Sequence, residues 1–192
     1  LDLEDGVAPE AKADARARLR AFVAAPGSPA RLVRVNAPSE AIGAADLEAV
    51  AELEDVAVVV PKARLETVEV AAGARRPLIA LVEDGAGVRD AYEIAAHPAV
   101  VALAIGSADL TASIGLVPTG NGTELLFVRS QLVIASAAAG IRPPIDGPCL
   151  DVHDGKVTRG VQCGCAEKGG LRNVGEPVEL ALRYNEQGGG EM

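Results

Sequence analysis

Short apolar runs alternate along this chain with segments of helical periodicity, and each apolar run ends in a charged or amide side chain or a turn that contains one. The runs consist mainly of Val, Ile, Leu and Ala without polar alternation, which is typical of parallel strands covered on their outer face. This pattern predicts strands at residues 1–3, 32–35, 56–60, 78–82 and 100–105 and at Ile145. The segments between them predict helices at residues 10–24, 44–53, 64–72, 87–96, 109–114 and 123–139.

The repeated strand–helix units predict an α/β fold, and we favour a (β/α)8 barrel of the TIM type. A doubly wound open sheet is the alternative, but polar residues end successive strands and no Gly-x-Gly-x-x-Gly follows the first strand. A complete barrel typically needs about 250 residues, whereas this chain has 192. We therefore expect an incomplete barrel with about six of eight strands over residues 1–152. Residues 153–192, rich in Gly and charge, are expected to form an atypical tail, disordered or frame-shifted.

Composition limits the partners and the core. The net charge of −9 argues against a nucleic-acid backbone and against a polybasic membrane contact. No apolar stretch approaches the roughly 20 residues that cross a bilayer and no signal peptide opens the chain, so we expect a cytoplasmic protein. With two Tyr, two Phe and no Trp, the core must consist of smaller aliphatic residues. Cys149, Cys163 and Cys165 match no common zinc spacing, which indicates incidental thiols.

Glu83 and Asp109 are the candidate metal ligands. The carboxyl ends of parallel barrel strands meet at one mouth, where such barrels place their chemistry. Both residues follow successive apolar runs, so their carboxylates should lie at neighbouring strand ends. Two carboxylates, completed by substrate oxygens and waters, suit octahedral Mg²⁺. The alternative is that Glu83 opens a loop and Asp109 caps the following short helix, but two such residues after consecutive strands favour a metal.

A second group of charged residues is expected at the same mouth. Arg34 lies inside an apolar run, and a buried guanidinium needs a partner such as a carboxylate or a thioester oxygen. A structural salt bridge to Glu4 or Asp5 is the alternative, and both roles can hold at once. Adjacent residues point apart in an extended chain, so at most one of this acidic pair faces the mouth directly. Lys62 suits a Schiff base, but beside a metal we favour an electrostatic role, and Asp146 is a candidate pocket residue.

Several motifs occur in a consistent order between residues 1 and 152. They are Leu1-Asp2-Leu3-Glu4-Asp5, Val33-Arg34-Val35-Asn36, Val60-Pro61-Lys62, Leu81-Val82-Glu83 with Gly87, Gly106-x-x-Asp109-Leu110, the segment Leu125–Arg129, and Ile145-Asp146-Gly147-Pro148. Together these motifs resemble the HpcH/HpaI aldolase and citrate lyase β-subunit family. The resemblance implies a (β/α)8 barrel, Mg²⁺ on Glu83 and Asp109, substrate contact by Arg34, acyl-thioester lyase chemistry, and a homo-oligomer, trimer or hexamer, in full-length relatives.

The chain departs from the family pattern at several points. Asp84-Gly85 stands where the family usually has Thr-Ala, and Ala108 stands where it has an acidic residue. The first and last barrel strands and most of the second have no counterpart. The C-terminal segment, which in the malyl-CoA lyase branch gives a catalytic acid to a neighbouring subunit, also has none. We therefore expect a chain truncated at both ends.

The sequence thus predicts a Mg²⁺-dependent carbon–carbon lyase that cleaves a 3-hydroxyacyl-CoA thioester of the malyl-, citramalyl- or citryl-CoA type into an acyl-CoA and an α-keto acid. The ion on Glu83 and Asp109 would chelate the keto acid, and Arg34 would stabilise the developing negative charge. Glu4 and Asp5 would fix metal-bound waters. The remaining predicted substrate contacts are Asn36, Lys62, Asp146, Gly147 and Pro148. The alternatives are a 4-hydroxy-2-oxo-acid aldolase that releases pyruvate, and a non-catalytic barrel fragment.

Overall fold

A computed structural model of the chain describes residues 1–24, 32–119 and 122–146 with their side chains, and residues 151–153, 156–160 and 171–175 as backbone. The helices are α1 (Lys12–Ala24), α2 (Ala41–Ala51), α3 (Leu65–Ala72), α4 (Gly85–Arg89), α5 (Ala91–Ala95), α6 (Ser107–Ile114) and α7 (Leu126–Ala139). The strands are β1 (Leu32–Arg34), β2 (Ala57–Val60), β3 (Leu78–Val82), β4 (Val100–Ile105), β5 (Asp151–His153), β6 (Lys156–Gly160) and β7 (Leu171–Gly175). Short 3₁₀ turns precede α1 and α7.

Strands β1 to β4 form one parallel sheet in which neighbours along the chain are also neighbours in space. Single parallel bridges extend this order at both edges, from Asp2 to Arg34 and from Ala104 to Ile145. The six predicted strand positions therefore follow one another around the sheet in sequence order. A doubly wound sheet would reverse its strand order at a switch point, and the described parallel strands do not.

The helix between β3 and β4 differs from the prediction. One helix was expected at residues 87–96, but α4 begins earlier, because the Asp84 side chain accepts the N–H groups of Ala86 (3.1 Å) and Gly87 (2.9 Å) and caps it. The helix then breaks at Asp90, whose φ of −96° and ψ of 16° lie outside the helical region. The Asp84-Gly85 departure from the family pattern thus supplies a helix cap.

The sheet has two differently covered faces. One packs against the helices around a large core that includes Val33, Val58, Val82 and Leu103. The opposite face carries a small cluster of Ile79, Ala102 and Ala104, which is the inner side of a barrel. Every buried hydrophobic residue in the described ranges is Ala, Val, Leu or Ile, as the shortage of aromatic residues predicts.

Residues beyond the parallel sheet form a separate antiparallel sheet of β5, β6 and β7. The sequence did not predict these strands, because the segment lacks a long apolar run. Gly147, Pro148 and the three cysteines lie outside the described residues. Across the part of the chain that the structure describes, no helix has both the length and the apolar character that a bilayer crossing requires.

Candidate functional site

Glu83 occupies the centre of the strand-end region. It follows β3 directly and shares the inner face with Ile79 and Leu81, because side chains alternate along a strand. It is only 4% exposed, and its Oε2 accepts the main-chain N–H of Lys62 at 2.7 Å. The pKa of Glu83 is raised to about 7, because burial and the charges of Asp109 and Glu4 raise it by more than the Lys62 N–H lowers it. Its acidic neighbours therefore oppose ionisation.

Asp109 lies within hydrogen-bonding reach of Glu83, and the hydrogen bond between their side chains also raises the pKa of Glu83. Asp109 is exposed and sits in the first turn of α6. The cap of this helix is Gly106, which has no side-chain capping bond, so the alternative role of Asp109 as a helix cap is not observed. The two predicted ligands therefore converge as the sequence predicted.

Gly106 makes this convergence possible. The register of β3 and β4 pairs Val82 with Ile105, so Gly106 follows directly beside Glu83. A Cβ at Gly106 would lie 2.4 Å from Cγ and 2.8 Å from Oε1 of Glu83. Real Cβ atoms do not approach other atoms so closely, so only glycine leaves room for the buried carboxylate.

Lys62 reaches the site through its main chain. Its φ of 45° is in the left-handed region, which is uncommon for a residue other than glycine. This conformation accompanies the N–H bond to Glu83, while the Lys62 side chain is exposed. The ammonium group is close enough to Glu4 to lower the pKa of that carboxyl. Its side chain makes no ion pair within the described residues, and an electrostatic role for it stays a prediction.

Arg34 is held by three carboxylates. Its Nε and Nη2 donate to the two oxygens of Asp2 at 2.9 and 2.6 Å, and its Nη1 lies 2.9 Å from Glu4 and 3.3 Å from Asp5. The salt bridges proposed for Glu4 and Asp5 are both present. The bidentate partner, Asp2, was missed, although the apolar residues on either side of it marked it as part of a strand. Arg34 thus has its charge compensated before any substrate is present.

These contacts affect the pKa values of the cluster. Burial raises the pKa of Glu4 and the Arg34 charge lowers it, with a net rise. For Asp2, burial raises the pKa, but the hydrogen bonds and charge of Arg34 and the N–H groups of Glu4 and Gly6 leave it below its usual value. The pKa of Arg34 is raised, mainly by its hydrogen bonds to Asp2. Arg34 therefore remains protonated and keeps Asp2 ionised.

Replacing Arg34 by Met is expected to destabilise the chain by about 1–3 kcal/mol at pH 7.5. The stability that Asp2 contributes is present above its ordinary pKa and is lost as pH falls through the lowered folded value. The loss in Arg34→Met should therefore shrink near pH 3, below the ordinary pKa of 3.8, where Asp2 takes up a proton. Urea unfolding at both pH values measures this. Arg89→Met is the control, since the Arg89 side chain is 75% exposed beside Asp90. An equal loss at both pH values would contradict the expectation.

Asn36 is not on the open face of the site. It is 7% exposed, its Oδ1 accepts from Lys12 at 2.6 Å, and its Nδ2 donates to Leu3 O at 2.7 Å and to Asp46. Both donors of the Asn36 amide and one acceptor position of its oxygen are already used within the protein. A supporting role beneath the strand ends fits these bonds better.

Asp146 lies at the far edge of the sheet, beside the last parallel bridge. Its Oδ2 accepts from Nε of Arg129 at 3.0 Å. Both residues line a cavity of about 210 Å³ whose other walls are apolar, formed by Ile105, Leu132, Val133, Pro144 and Ile145. The predicted pocket residue is therefore at a pocket.

The charged residues at the strand ends form a group that we call the strand-end cluster. It contains five carboxylates and two cations: Asp2, Glu4, Asp5, Glu83 and Asp109, with Arg34 and Lys62. No group of three or more His, Cys, Asp or Glu side chains with metal-binding geometry occurs in the described residues. Glu83 and Asp109 remain the predicted ligands of an ion. Two carboxylates are sufficient for Mg²⁺, which usually keeps several waters and takes other oxygens from substrate.

Comparison with known proteins agrees with this geometry. A family model for HpcH/HpaI aldolase/citrate lyase matches residues 1–154. A citrate lyase subunit beta-like protein of Mycobacterium tuberculosis is 39% identical over 160 residues, which cover 80% of this chain and 57% of that protein. A (3S)-malyl-CoA thioesterase of Cereibacter sphaeroides is 40% identical over 120 residues, which cover 60% of this chain and 42% of that protein. The chain thus spans about half the length of these relatives.

The fold of this chain also matches that of a solved structure of a similar protein. The protein CitE of Mycobacterium tuberculosis, in complex with magnesium, acetoacetate and coenzyme A, superposes with a TM-score of 0.65 at 37% identity, over 76% of this chain and 55% of that one. The predicted TIM-barrel class is therefore confirmed, and so is the resemblance described from the sequence motifs.

Proposed function

Because the chain belongs to the HpcH/HpaI aldolase/citrate lyase family, we propose that its strand-end cluster binds Mg²⁺ and serves the cleavage of a 3-hydroxyacyl-CoA thioester into an acyl-CoA and an α-keto acid. The observation that carries this proposal is the buried Glu83 carboxylate, which is held beside Asp109 at the end of β3. A buried carboxylate that is repelled by neighbouring acidic groups is stabilised by a cation shared with one of them.

The residues present fit Mg²⁺ in three respects. Their donors are carboxylate oxygens, which this ion prefers. One oxygen of Glu83 is fixed by the Lys62 N–H, and Gly106 leaves the space that the carboxylate fills. The excess of carboxylates over cations in the strand-end cluster also favours a divalent cation. In the solved relative, magnesium is bound together with acetoacetate and coenzyme A.

The proposed reaction breaks the bond between the hydroxyl-bearing carbon and the α-carbon of the thioester. The hydroxyl loses its proton and becomes the keto group, while the electron pair of the broken bond moves onto the thioester as an enolate, which then takes up a proton. Bound Mg²⁺ would supply a Lewis acid for the keto-acid oxygens. Arg34 would stabilise developing negative charge, and Glu4 and Asp5 would hold both Arg34 and nearby waters.

The other residues that were predicted to contact substrate have different roles in this proposal. Lys62 contributes positive potential beside Glu4. Asp146 would line the thioester pocket together with Arg129, which has an ion pair to it. Gly147 and Pro148 stay predicted pocket residues outside the described ranges. Asn36 would position the strand ends from below instead of contacting substrate.

A substrate panel tests the proposal directly. The 192-residue chain with Mg²⁺ would be given malyl-, citramalyl- and citryl-CoA and, separately, free 4-hydroxy-2-oxo acids. Formation of an acyl-CoA and a keto acid from a thioester supports the lyase. Free CoA with an intact hydroxy acid would indicate a thioesterase, the activity named for the Cereibacter sphaeroides relative. Pyruvate from the free acids would indicate the aldolase. Magnesium binding with no turnover of any substrate would indicate the non-catalytic fragment.

Assembly as a homo-oligomer and a cytoplasmic location also remain proposals. Helix α7 presents an apolar surface that supports association, because Leu126, Phe127, Val133 and Ile134 are between 53% and 72% exposed. Light scattering coupled to size-exclusion chromatography would give the mass in solution. A trimer or hexamer would agree with the expectation for full-length relatives.

A further inference from the structure

Lys12, the first residue of α1, is a buried lysine beneath the strand-end cluster. It is 8% exposed, and its ammonium donates to Leu3 O at 2.9 Å, to Glu4 O at 2.9 Å and to Oδ1 of Asn36 at 2.6 Å. An ammonium group has three donors, and all three are used. Lysine is rarely buried to this extent, so the contacts that it makes need an explanation.

On the side of helices α1 and α2, the hydrogen bonds around Lys12 continue through Asn36 and Asp46 to Arg16. Asn36 donates from its main chain and its side chain to Oδ2 of Asp46, which is fully buried in α2. The other oxygen of Asp46 accepts from Arg16 at 2.9 Å. Arg16 and Lys12 are four residues apart and lie on the same side of α1. They differ in one respect that matters here, since only Lys12 contacts the Leu3–Glu4 main chain.

The contact with Glu4 connects Lys12 to the site. Glu4 leaves the first parallel segment, and its carboxylate lies 2.9 Å from Nη1 of Arg34. Its charge also reaches Glu83. The Glu4 carbonyl is held by Lys12 and by the N–H of Val7, whose bond is longer at 3.2 Å. Loss of the ammonium would leave the carbonyls of Leu3 and Glu4 with fewer donors and would release the turn that carries this carboxylate.

We propose that Lys12 is a positioning residue, which fixes the main chain at Glu4 and thereby orients Glu4 and Arg34 toward the substrate. The ligand part of this inference rests on the proposed function, and the structural part does not. A merely structural ion network would act through the contact between α1 and α2, as Arg16 does. Lys12 instead acts through the main chain that leads into the site.

The test compares Lys12→Met with Arg16→Met. Met keeps most of the lysine stem but removes the donors, and Arg16 belongs to the same network without touching Glu4. Hydrogen–deuterium exchange of residues 1–11 reports on the turn in the absence of any ligand. Calorimetry reports Mg²⁺ affinity and, at saturating Mg²⁺, pyruvate affinity.

For Lys12→Met we expect exchange in residues 1–11 to accelerate about tenfold more than in Arg16→Met. Mg²⁺ affinity should stay within about twofold, and pyruvate affinity should fall by about tenfold, an effect that Glu4→Gln reproduces without faster exchange. Equal exchange in both methionine variants would overturn the positioning of the turn. Unchanged pyruvate affinity with faster exchange would overturn the link to the site. Failure of the wild-type chain to bind Mg²⁺ or pyruvate would refute the proposed function, and the exchange result would still decide the role of Lys12.

Discussion

Glu83→Gln is expected to abolish Mg²⁺ binding and, at the same time, to stabilise the metal-free chain at pH 8. Gln keeps the shape of the side chain and an oxygen that can accept the Lys62 N–H, but it carries no charge for the ion. We expect the affinity for Mg²⁺ to fall by at least about a hundredfold, which corresponds to about 2.7 kcal/mol. Calorimetry and magnesium-dependent melting temperatures measure this loss.

The gain in stability follows from the pKa of Glu83. The folded pKa of about 7 lies above the ordinary value of 4.5, so the folded chain holds a proton that the unfolded chain has lost between these values. The wild-type stability contributed by this carboxyl is therefore complete below pH 4.5 and is lost as pH rises through 7. Gln does not titrate, so Glu83→Gln should melt several degrees higher at pH 8 and near the wild-type temperature at pH 4.5.

Glu48→Gln is the matched control for this variant. Glu48 is an exposed glutamate on α2, so the same chemical change should alter neither Mg²⁺ affinity nor the pH dependence of melting. Retention of Mg²⁺ binding by Glu83→Gln would exclude this carboxylate as a ligand. A variant that is less stable than the wild type at pH 8 would contradict the raised pKa of the buried group.

Gly106→Ala is expected to damage the same site through steric contact alone. The new Cβ would approach Cγ of Glu83 to 2.4 Å, so the carboxylate must move or the ends of β3 and β4 must separate. Overpacking of this kind costs about 1–3 kcal/mol. We also expect at least a tenfold loss of Mg²⁺ affinity, because two ligands that no longer converge bind one ion poorly. Chemical unfolding and calorimetry measure the two effects.

Gly115→Ala is the control that distinguishes a loss of stability from a loss of Mg²⁺ affinity. Gly115 ends α6 with a φ of 69°, and a Cβ there meets no atom within 4 Å. This variant should lose about 1 kcal/mol through backbone strain and should keep its Mg²⁺ affinity. Equal Mg²⁺ affinity in both glycine variants would show that Gly106 is not needed to place Glu83.

The order of the parallel strands and the convergence of Glu83 with Asp109 could be predicted from the sequence. Continuous apolar runs mark parallel strands, and the residues that follow them meet at one edge whatever the details of packing. Arg34 could also be singled out, because a charge between two buried valines requires a partner.

The network beneath the site could not be predicted in the same way. Lys12 and Asp46 lie in helices, where the sequence alone predicts that a charged residue faces water. Their burial depends on how α1 and α2 pack around Asn36, which local patterns do not specify. The break of the predicted helix at Asp90 could not be predicted either, since residues 88–96 contain no Pro or Gly.

The main-chain bond from Lys62 to Glu83 makes the position of the Glu83 carboxylate independent of the charge on the Lys62 side chain. The N–H that fixes the ligand is present in every amino acid except proline, whereas the ammonium beside Glu4 belongs to lysine alone. Replacing Lys62 by any uncharged residue other than proline should therefore remove the positive charge beside Glu4 and keep the hydrogen bond that fixes Glu83. The left-handed backbone would make glycine the least strained replacement.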